Sequence, residues 1–181
     1  MEMMSKGCMP NVVTYSAMIA GLCKAGKIDE VHKLLERMRD AGCIPNVYTY
    51  SILINGLCKS GKLDEACKLL RNMLDQGCTP NVVTYSTLIA SFCKVNRIRE
   101  AHRMYEGMLH KGCVPDTVTF NALLDGICKI GWMDAAFSIV HEMLLQHCYP
   151  STSTFNILLN SLCKAKEEEP GLQLLFKTIE Y

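Results

Sequence analysis

The chain has 181 residues, of which 49% are hydrophobic, 20% charged and 7% aromatic, and its formal net charge is +1. This composition argues against a disordered chain, and the lack of an uncharged apolar stretch of about 18 residues argues against a transmembrane helix. A charge near zero gives no bulk attraction to a polyanion, so nucleic-acid binding would depend on where the charges lie. The N-terminus lacks an apolar signal core, so we expect no targeting segment in this chain.

A 35-residue repeat organises the sequence. Aromatic residues keep this step at Tyr15, Tyr50, Tyr85, Phe120 and Phe155, and prolines keep it at Pro10, Pro45, Pro80, Pro115 and Pro150. A fixed period of this length is typical of stacked repeat proteins. We predict a single array with the tail of a unit at 1–11, complete units at 12–46, 47–81, 82–116 and 117–151, and an incomplete unit at 152–181. Both ends fall inside a unit, as expected for a section of a longer array.

Each unit predicts two helices. In the second unit, apolar residues at helical spacing form a first stripe, Tyr50, Leu53, Ile54, Leu57 and Cys58, and a second stripe, Leu63, Ala66, Leu69, Leu70 and Met73. Ser60-Gly61 separates them, and Asn96 replaces this glycine in the third unit, where a left-handed backbone is needed. A single hairpin cannot bury its own apolar stripes, so neighbouring hairpins must stack. The predicted fold is therefore all-α, an α-solenoid of stacked 35-residue helix-turn-helix repeats.

Two positions depart from the simple pattern. Trp132, at the start of a second helix, is interpreted as a packing residue. In the last unit Lys166 replaces the turn glycine, and Pro170 follows the acidic run 167–169. Proline and acidic residues suit a helix N-terminus, so we predict a shortened closing helix there.

The 11 cysteines follow the repeat rather than a disulfide pattern. Ten of them form two series at 35-residue steps, Cys8 to Cys148 and Cys23 to Cys163, and only Cys67 lies outside them. We therefore predict reduced thiols that pack as small hydrophobic side chains. No C-x-x-C pair is present, so we predict no metal site and no other cofactor.

A row of lysines closes the first helix of each unit. Its members are Lys24, Lys59, Lys94, Lys129 and Lys164. On a helix of about 100° per residue, each lysine shares a polar stripe with small hydrogen-bonding residues, separate from the apolar stripe. Such a row suits a single-stranded polyanion with one polar unit per repeat, whereas the alternative is a solvated face whose lysines favour the helix C-terminal dipole.

The stretch "NVVTYSTLIASFCKVNRIREAHRMYEGMLHKGCVPD" and its counterparts resemble the pentatricopeptide repeat (PPR) family of organellar RNA-binding proteins, over essentially the whole chain. The resemblance implies a right-handed superhelix that binds single-stranded RNA, one nucleotide per repeat. It also implies RNA processing, stabilisation or editing in a mitochondrion or chloroplast, with the mitochondrion preferred. We expect no membrane and no small-molecule substrate as partner. The resemblance is compatible with other protein factors as partners.

The resemblance assigns the base-reading residues to two places, directly after the aromatic residue and directly after the next proline. The implied pairs are Ser16 with Asn46, Ser51 with Asn81, Ser86 with Asp116, and Asn121 with Ser151, followed by Asn156 alone. The implied readout is 5′-A-A-G-C-(pyrimidine)-3′. Bases would be sandwiched by Val13, Tyr48, Val83, Val118 and Ser153. The lysine row would contact phosphates.

Two alternatives stay open at the sequence level. Asn, Asp and Ser after a proline are good helix N-caps, so capping alone explains the residue types at Asn46, Asn81, Asp116 and Ser151, although both roles can coexist. A protein-binding scaffold of the tetratricopeptide class would share the solenoid architecture. No catalytic motif is present, so we expect no enzymatic activity from this chain.

Overall fold

The computed structural model describes residues 9–165, and these form nine helices and no strand. The helices are α1 (Val12–Lys24), α2 (Ile28–Asp40), α3 (Val47–Lys59), α4 (Leu63–Asp75), α5 (Val82–Lys94), α6 (Ile98–His110), α7 (Thr117–Lys129), α8 (Met133–Leu145) and α9 (Thr152–Ala165). Within residues 9–165, no helix is long and apolar enough to cross a membrane. The predicted closing helix at Pro170 lies outside the described residues. The chain divides into two compact units, residues 1–88 and 89–181.

Glycines and two substitutes set the turns between helices. Gly61, after α3, has φ of 73°, and Asn96, after α5, has φ of 63°. This confirms that Asn96 takes the left-handed conformation of the glycine that it replaces. At the ends of the second helices Gly42 has φ of 71°, whereas His147 occupies the corresponding position with φ of 55°.

The unit of residues 1–88 builds its core between successive helices. In it, α1 packs against α2 and α3, and α3 packs against α4. The central cluster is formed by Tyr15, Ile19, Val31, Leu35, Met38 and Leu53. The predicted stripe on α3 is confirmed, because Tyr50, Leu53, Ile54 and Leu57 are all buried. Each such side chain contributes about 1.5–3 kcal/mol of burial free energy, which explains why the hairpins stack.

The unit of residues 89–181 repeats this arrangement. Here α7 packs against α6, α8 and α9. Its core cluster contains Leu124, Ile127, Ala136, Val140 and Leu158. The hairpins thus use the same apolar positions, 35 residues apart, in both units.

One packing prediction is confirmed for several residues and another needs correction. Among the described cysteines Cys93 is buried, and the half-buried Cys23, Cys43 and Cys128 pack against the core clusters as small hydrophobic side chains, whereas Cys163 is exposed. Trp132 is 59% exposed and is not the packing residue that the sequence predicted. It is the N-cap residue of α8 and directly precedes Met133, the first buried residue of that helix.

Candidate nucleic-acid interface

A side chain after each proline caps the first helix of a unit. Asn46 Oδ1 accepts the Thr49 backbone N–H at 3.0 Å and the Thr49 hydroxyl at 3.1 Å. The same two bonds recur between Asn11 and Thr14, Asn81 and Thr84, and Asp116 and Thr119, at distances from 2.7 to 3.1 Å. The predicted base-reading residues Asn46, Asn81 and Asp116 are therefore helix caps in this structure, and each remains an exposed residue.

The capping threonine also contacts the preceding hairpin. Thr49 is 0% exposed, and its Oγ1 lies 2.8 Å from Ser16 Oγ. The hydroxyl of Thr49 thus lies between the two members of the first predicted pair, Ser16 and Asn46. These residues are separated along the chain but joined by two hydrogen bonds in space.

The second pair in residues 1–88 is joined in the same way. Ser51 Oγ lies 2.8 Å from Thr84 Oγ1, and Thr84 donates to Asn81 Oδ1 at 3.0 Å. Ser51 also donates to the carbonyl oxygen of Val47, one turn earlier, at 2.8 Å.

The pair in residues 89–181 uses the same threonine position. Thr154 Oγ1 donates to Asn121 Oδ1 at 2.7 Å, and Ser151 Oγ lies 3.2 Å from the same hydroxyl. Thr154 is 0% exposed, so the two predicted base-reading side chains are joined through a buried hydroxyl.

The residues that follow the aromatic position are less exposed than the caps. Ser16 keeps 1% of its surface accessible and Ser86 keeps 6%, and the Ser86 hydroxyl donates to the carbonyl oxygen of Val82. Ser51 and Asn121 are half-buried, and Asn156 is exposed. Within the predicted pairs of residues 9–88, the caps Asn46 and Asn81 are therefore more exposed than Ser16, Ser51 and Ser86.

Apolar side chains at the second position of the first helices face the solvent. The exposed fraction is 73% for Val13, 65% for Tyr48, 62% for Val83 and 64% for Val118, and Ser153 at the equivalent place in α9 is also exposed. Isolated exposed apolar residues are normal on protein surfaces, but these recur at four successive steps of the repeat. Flat or aliphatic surfaces of this kind are available for stacking against planar rings.

Two of the predicted lysines line one cleft in residues 1–88. The cleft has a volume of 460 Å³, and Lys24, Lys59, Asn55 and Cys23 contribute to its wall. Lys24 and Lys59 are exposed and are the last residues of α1 and α3. The helix C-terminal carbonyl groups favour a cation at this place, so the structure is compatible with the solvated-face alternative as well as with anion binding.

A matching cleft in residues 89–181 contains an acidic residue. It has a volume of 370 Å³ and is lined by Lys129, Lys164, Asn160 and Asp125. The Lys129 ammonium donates to Asp125 Oδ2. Lys94, at the end of α5, is exposed. Among the described residues, Lys129 is the one member of the lysine row with a carboxylate partner.

The thiols beside this cleft are held in the neutral form. Burial raises the pKa of the Cys93 thiol to about 11, with a further increase from the Asp125 carboxylate and a partial decrease from the Lys129 ammonium. Burial also raises the pKa of Cys128, although a hydrogen bond from Ser161 opposes this. Neutral thiols of this kind are poor nucleophiles and poor metal ligands. Within residues 9–165, no group of three or more His, Cys, Asp or Glu side chains could hold a metal ion.

The sequence predictions missed the threonines that join the pairs. Threonine occurs three residues after each cap, at Thr14, Thr49, Thr84, Thr119 and Thr154. This regularity is visible in the sequence as a capping-box position. Its contact with the preceding hairpin is not, because the partner lies 33 residues earlier in the chain.

Comparison with known proteins identifies the class of protein and then the family. The fold is an all-α helical-repeat solenoid, as predicted, because it matches solved solenoids over nearly all of its length. A model described as "PPR repeat family" matches residues 10–59, 53–94, 80–129 and 115–164, and a "PPR repeat" model matches residues 153–180. The chain belongs to the PPR repeat family. The comparison with curated protein sequences returned no significant match.

Solved structures of this family are similar to the chain. The pentatricopeptide repeat protein PPR10 from maize has 26% identity and a TM-score of 0.84, and the match covers 97% of this chain and 25% of PPR10. PPR10 in complex with an 18-nt psaJ RNA element matches at 26% identity with a TM-score of 0.79, over 98% of this chain and 26% of that one. The PPR domain of Arabidopsis thaliana protein-only RNase P 1 has the same fold, at 18% identity and a TM-score of 0.73, over 91% of this chain and 86% of that domain. The chain spans about a quarter of the length of PPR10.

Proposed function

We propose that the chain binds single-stranded RNA with a sequence preference and that each repeat contacts one nucleotide. The observation that carries this proposal is the recurring link between two polar side chains through one buried threonine, seen for Ser16 with Asn46 and for Asn121 with Ser151. The RNA complex of PPR10, a relative with 26% identity, supports RNA as the class of ligand.

The proposed readout is 5′-A-A-G-C-(pyrimidine)-3′, and hydrogen-bond chemistry supports it. Asp116 can accept the ring N–H of guanine, because a carboxylate offers only acceptors at neutral pH. Asn46 and Asn81 offer an amide, which complements the ring acceptor of adenine. Asn121 with Ser151 is proposed to read cytosine, and Asn156 a following pyrimidine.

The other surfaces described above supply affinity in this proposal. Bases stack between the exposed side chains of Val13, Tyr48, Val83, Val118 and Ser153, because base stacking depends little on sequence. Phosphates bind at Lys24, Lys59, Lys94, Lys129 and Lys164, and all of these except Lys94 line the two clefts.

The cellular setting is proposed from family membership. The chain would act without catalysis of its own, in RNA processing, stabilisation or editing within a mitochondrion or chloroplast. The array is proposed to consist of complete repeats at 12–46, 47–81, 82–116 and 117–151, between the partial units 1–11 and 152–181.

Binding of short labelled RNAs, followed by fluorescence anisotropy at fixed salt, tests the proposal. We expect an RNA that carries 5′-AAGC-3′ to bind better than one that carries its complement, 5′-GCUU-3′. Asp116→Asn should shift the preference at the third base from G toward A by about 1–3 kcal/mol, the usual scale of one base contact. The first base serves as an internal control, since its preference should not change. Unchanged preference at the third base would contradict the assigned register.

The protein-scaffold alternative makes a different prediction for the lysines. Lys59→Glu and Lys94→Glu should weaken binding to all RNAs alike if these residues contact phosphates, since phosphate contacts carry no sequence information. A scaffold that does not bind RNA would retain no RNA at moderate salt, with or without these changes.

A further inference from the structure

We propose that the buried residue Thr154 is a specificity-determining positioning residue: its single hydroxyl proton decides which group of the pair Asn121 and Ser151 acts as donor and which as acceptor. This inference rests on the proposed function. Thr49 and Thr84 occupy the same place in the first two pairs, but there the backbone N–H of the threonine already orients the amide of Asn46 or Asn81. None of these threonines was predicted as a site residue.

Counting protons fixes the arrangement around Thr49. Asn46 Oδ1 accepts the Thr49 backbone N–H at 3.0 Å, which identifies this atom as the oxygen of the amide. An oxygen cannot donate, so the contact of 3.1 Å to Thr49 Oγ1 uses the threonine proton. The contact of 2.8 Å to Ser16 must then use the serine proton. Asn46 consequently turns its NH₂ group away from the threonine, and Ser16 keeps only acceptor capacity.

The same count around Thr154 gives the opposite donor-to-acceptor direction, in which the hydroxyl of the cap donates to the threonine and the threonine donates to the residue after the aromatic position. The Ser151 backbone N–H donates to Thr154 Oγ1 at 3.0 Å and occupies one acceptor position. Ser151 Oγ accepts the Thr154 backbone N–H at 3.4 Å, so its own proton is available for Thr154 Oγ1 at 3.2 Å. The threonine proton goes to Asn121 at 2.7 Å, which selects the oxygen of that amide. Asn121 therefore turns its NH₂ group away from Thr154.

This arrangement matters most for the choice between cytosine and uracil. Cytosine presents a ring acceptor and an amino donor, whereas uracil presents a ring N–H donor and a carbonyl acceptor at the corresponding positions. A pair with a fixed outward donor on Asn121 and a free acceptor on Ser151 complements cytosine. If the amide of Asn121 can rotate by 180°, the pair complements both bases equally. Thr154 opposes that rotation, because the backbone N–H and the hydroxyl of Ser151 already occupy the two acceptor positions of its Oγ1, so a rotated NH₂ group would displace the Ser151 hydroxyl.

Thr154→Val tests the inference, because valine keeps the shape of threonine and removes the hydroxyl. The full chain is measured against RNAs that carry AAGC or AAGU. One base contact corresponds to about 5- to 150-fold in affinity, so we expect the wild-type preference for C over U to lie in this range and to fall below about threefold in Thr154→Val. Thr154→Ser, which restores the hydroxyl, should keep the preference. The preference at the first base should be unchanged in both variants.

Thr14→Val is the matched control for helix capping. Thr14 makes the same two bonds to its cap, Asn11, but among the described residues its hydroxyl has no hydrogen bond to a preceding hairpin. This variant should change neither preference. If Thr154→Val fails to fold by circular dichroism, Thr154→Ala, which also removes the hydroxyl, tests the same idea through the preference for C over U. A Thr154 variant that lacks the hydroxyl, is folded and keeps the preference for C over U would overturn the inference alone. A wild-type chain without any preference between C and U would overturn the proposed register together with it.

Discussion

Gly21 and Gly56 occupy the same position in successive repeats, and we expect alanine to have opposite effects at the two. A Cβ atom at Gly56 would lie 2.7 Å from Cys23 Cβ and closer still to Cys23 Sγ, whereas a Cβ atom at Gly21 would meet nothing within 4 Å. Both residues lie within helices, so alanine gains about 0.5–1 kcal/mol of helix stability at either site. The two variants therefore differ only in packing.

The packing difference can be estimated from the distances. Ordinary contacts of a Cβ atom begin near 3.4 Å, so α1 and α3 would have to separate by about 1 Å to admit a methyl group at Gly56. Overpacking of this kind costs about 1–3 kcal/mol. We expect Gly21→Ala to raise the free energy of unfolding by about 0.5–1 kcal/mol. The free energy of unfolding of Gly56→Ala should lie about 1–3 kcal/mol below that of Gly21→Ala, because the gain in helix propensity is the same for both variants and cancels in this comparison.

Urea unfolding followed by far-UV circular dichroism measures both variants. A double variant with Cys23→Gly and Gly56→Ala provides the check, because the nearest atom to the new Cβ would then be the Cys23 Cα at 3.6 Å. The effect of Gly56→Ala should become less unfavourable in that background. Equal stabilisation by alanine at both glycines would refute the claim that these two helices are in close contact.

Two further predictions concern single residues. His147→Gly should stabilise the chain by about 0.5–1 kcal/mol in the same unfolding assay, because His147 has φ of 55° and the corresponding residue Gly112 has φ of 70°. Gly112→His should destabilise the chain. A destabilising His147→Gly or a stabilising Gly112→His would contradict this account. Asp125→Asn should strengthen binding of every RNA by about two- to fivefold, because it removes the carboxylate that pairs with Lys129 on an exposed surface. Anisotropy titrations measure this effect, and Ala20, at the equivalent position of the first repeat, offers the control Ala20→Ser, which should change little.

Most of the fold could be predicted because it depends on local rules that recur. The periodic apolar positions, the asparagine caps and the left-handed turns each involve residues within a few positions of one another. Asn96 is an example, since its glycine-like role follows from comparing one repeat with the next. The sequence of this one chain is informative because its repeats can be compared with one another.

The details of the candidate site could not be predicted in the same way. The sequence places Ser16 at a ligand surface, but this residue is 1% exposed, because Thr49 of the next hairpin lies over it. Exposure at this position depends on contacts between hairpins, and the helical periodicity of one repeat does not report them. The sequence also predicts that Lys129 matches the other lysines, but Asp125, one turn earlier on the same helix, forms an ion pair with it. A stripe of polar residues predicts a shared face without predicting which charges cancel on that face.

The distribution of charge leads to an expectation for salt dependence. With a net charge of +1, the chain attracts phosphates through local cations and not through its overall field. Lys129 has a carboxylate partner, while Lys24, Lys59, Lys94 and Lys164 have none among the described residues. Since each phosphate contact to single-stranded nucleic acid contributes about 0.7 to the slope of log affinity against log salt, four unpaired lysines correspond to a slope of about −3. A slope near zero would mean that the lysines only stabilise the helix ends, and the polar pairs would then have to provide RNA binding without help from the phosphates.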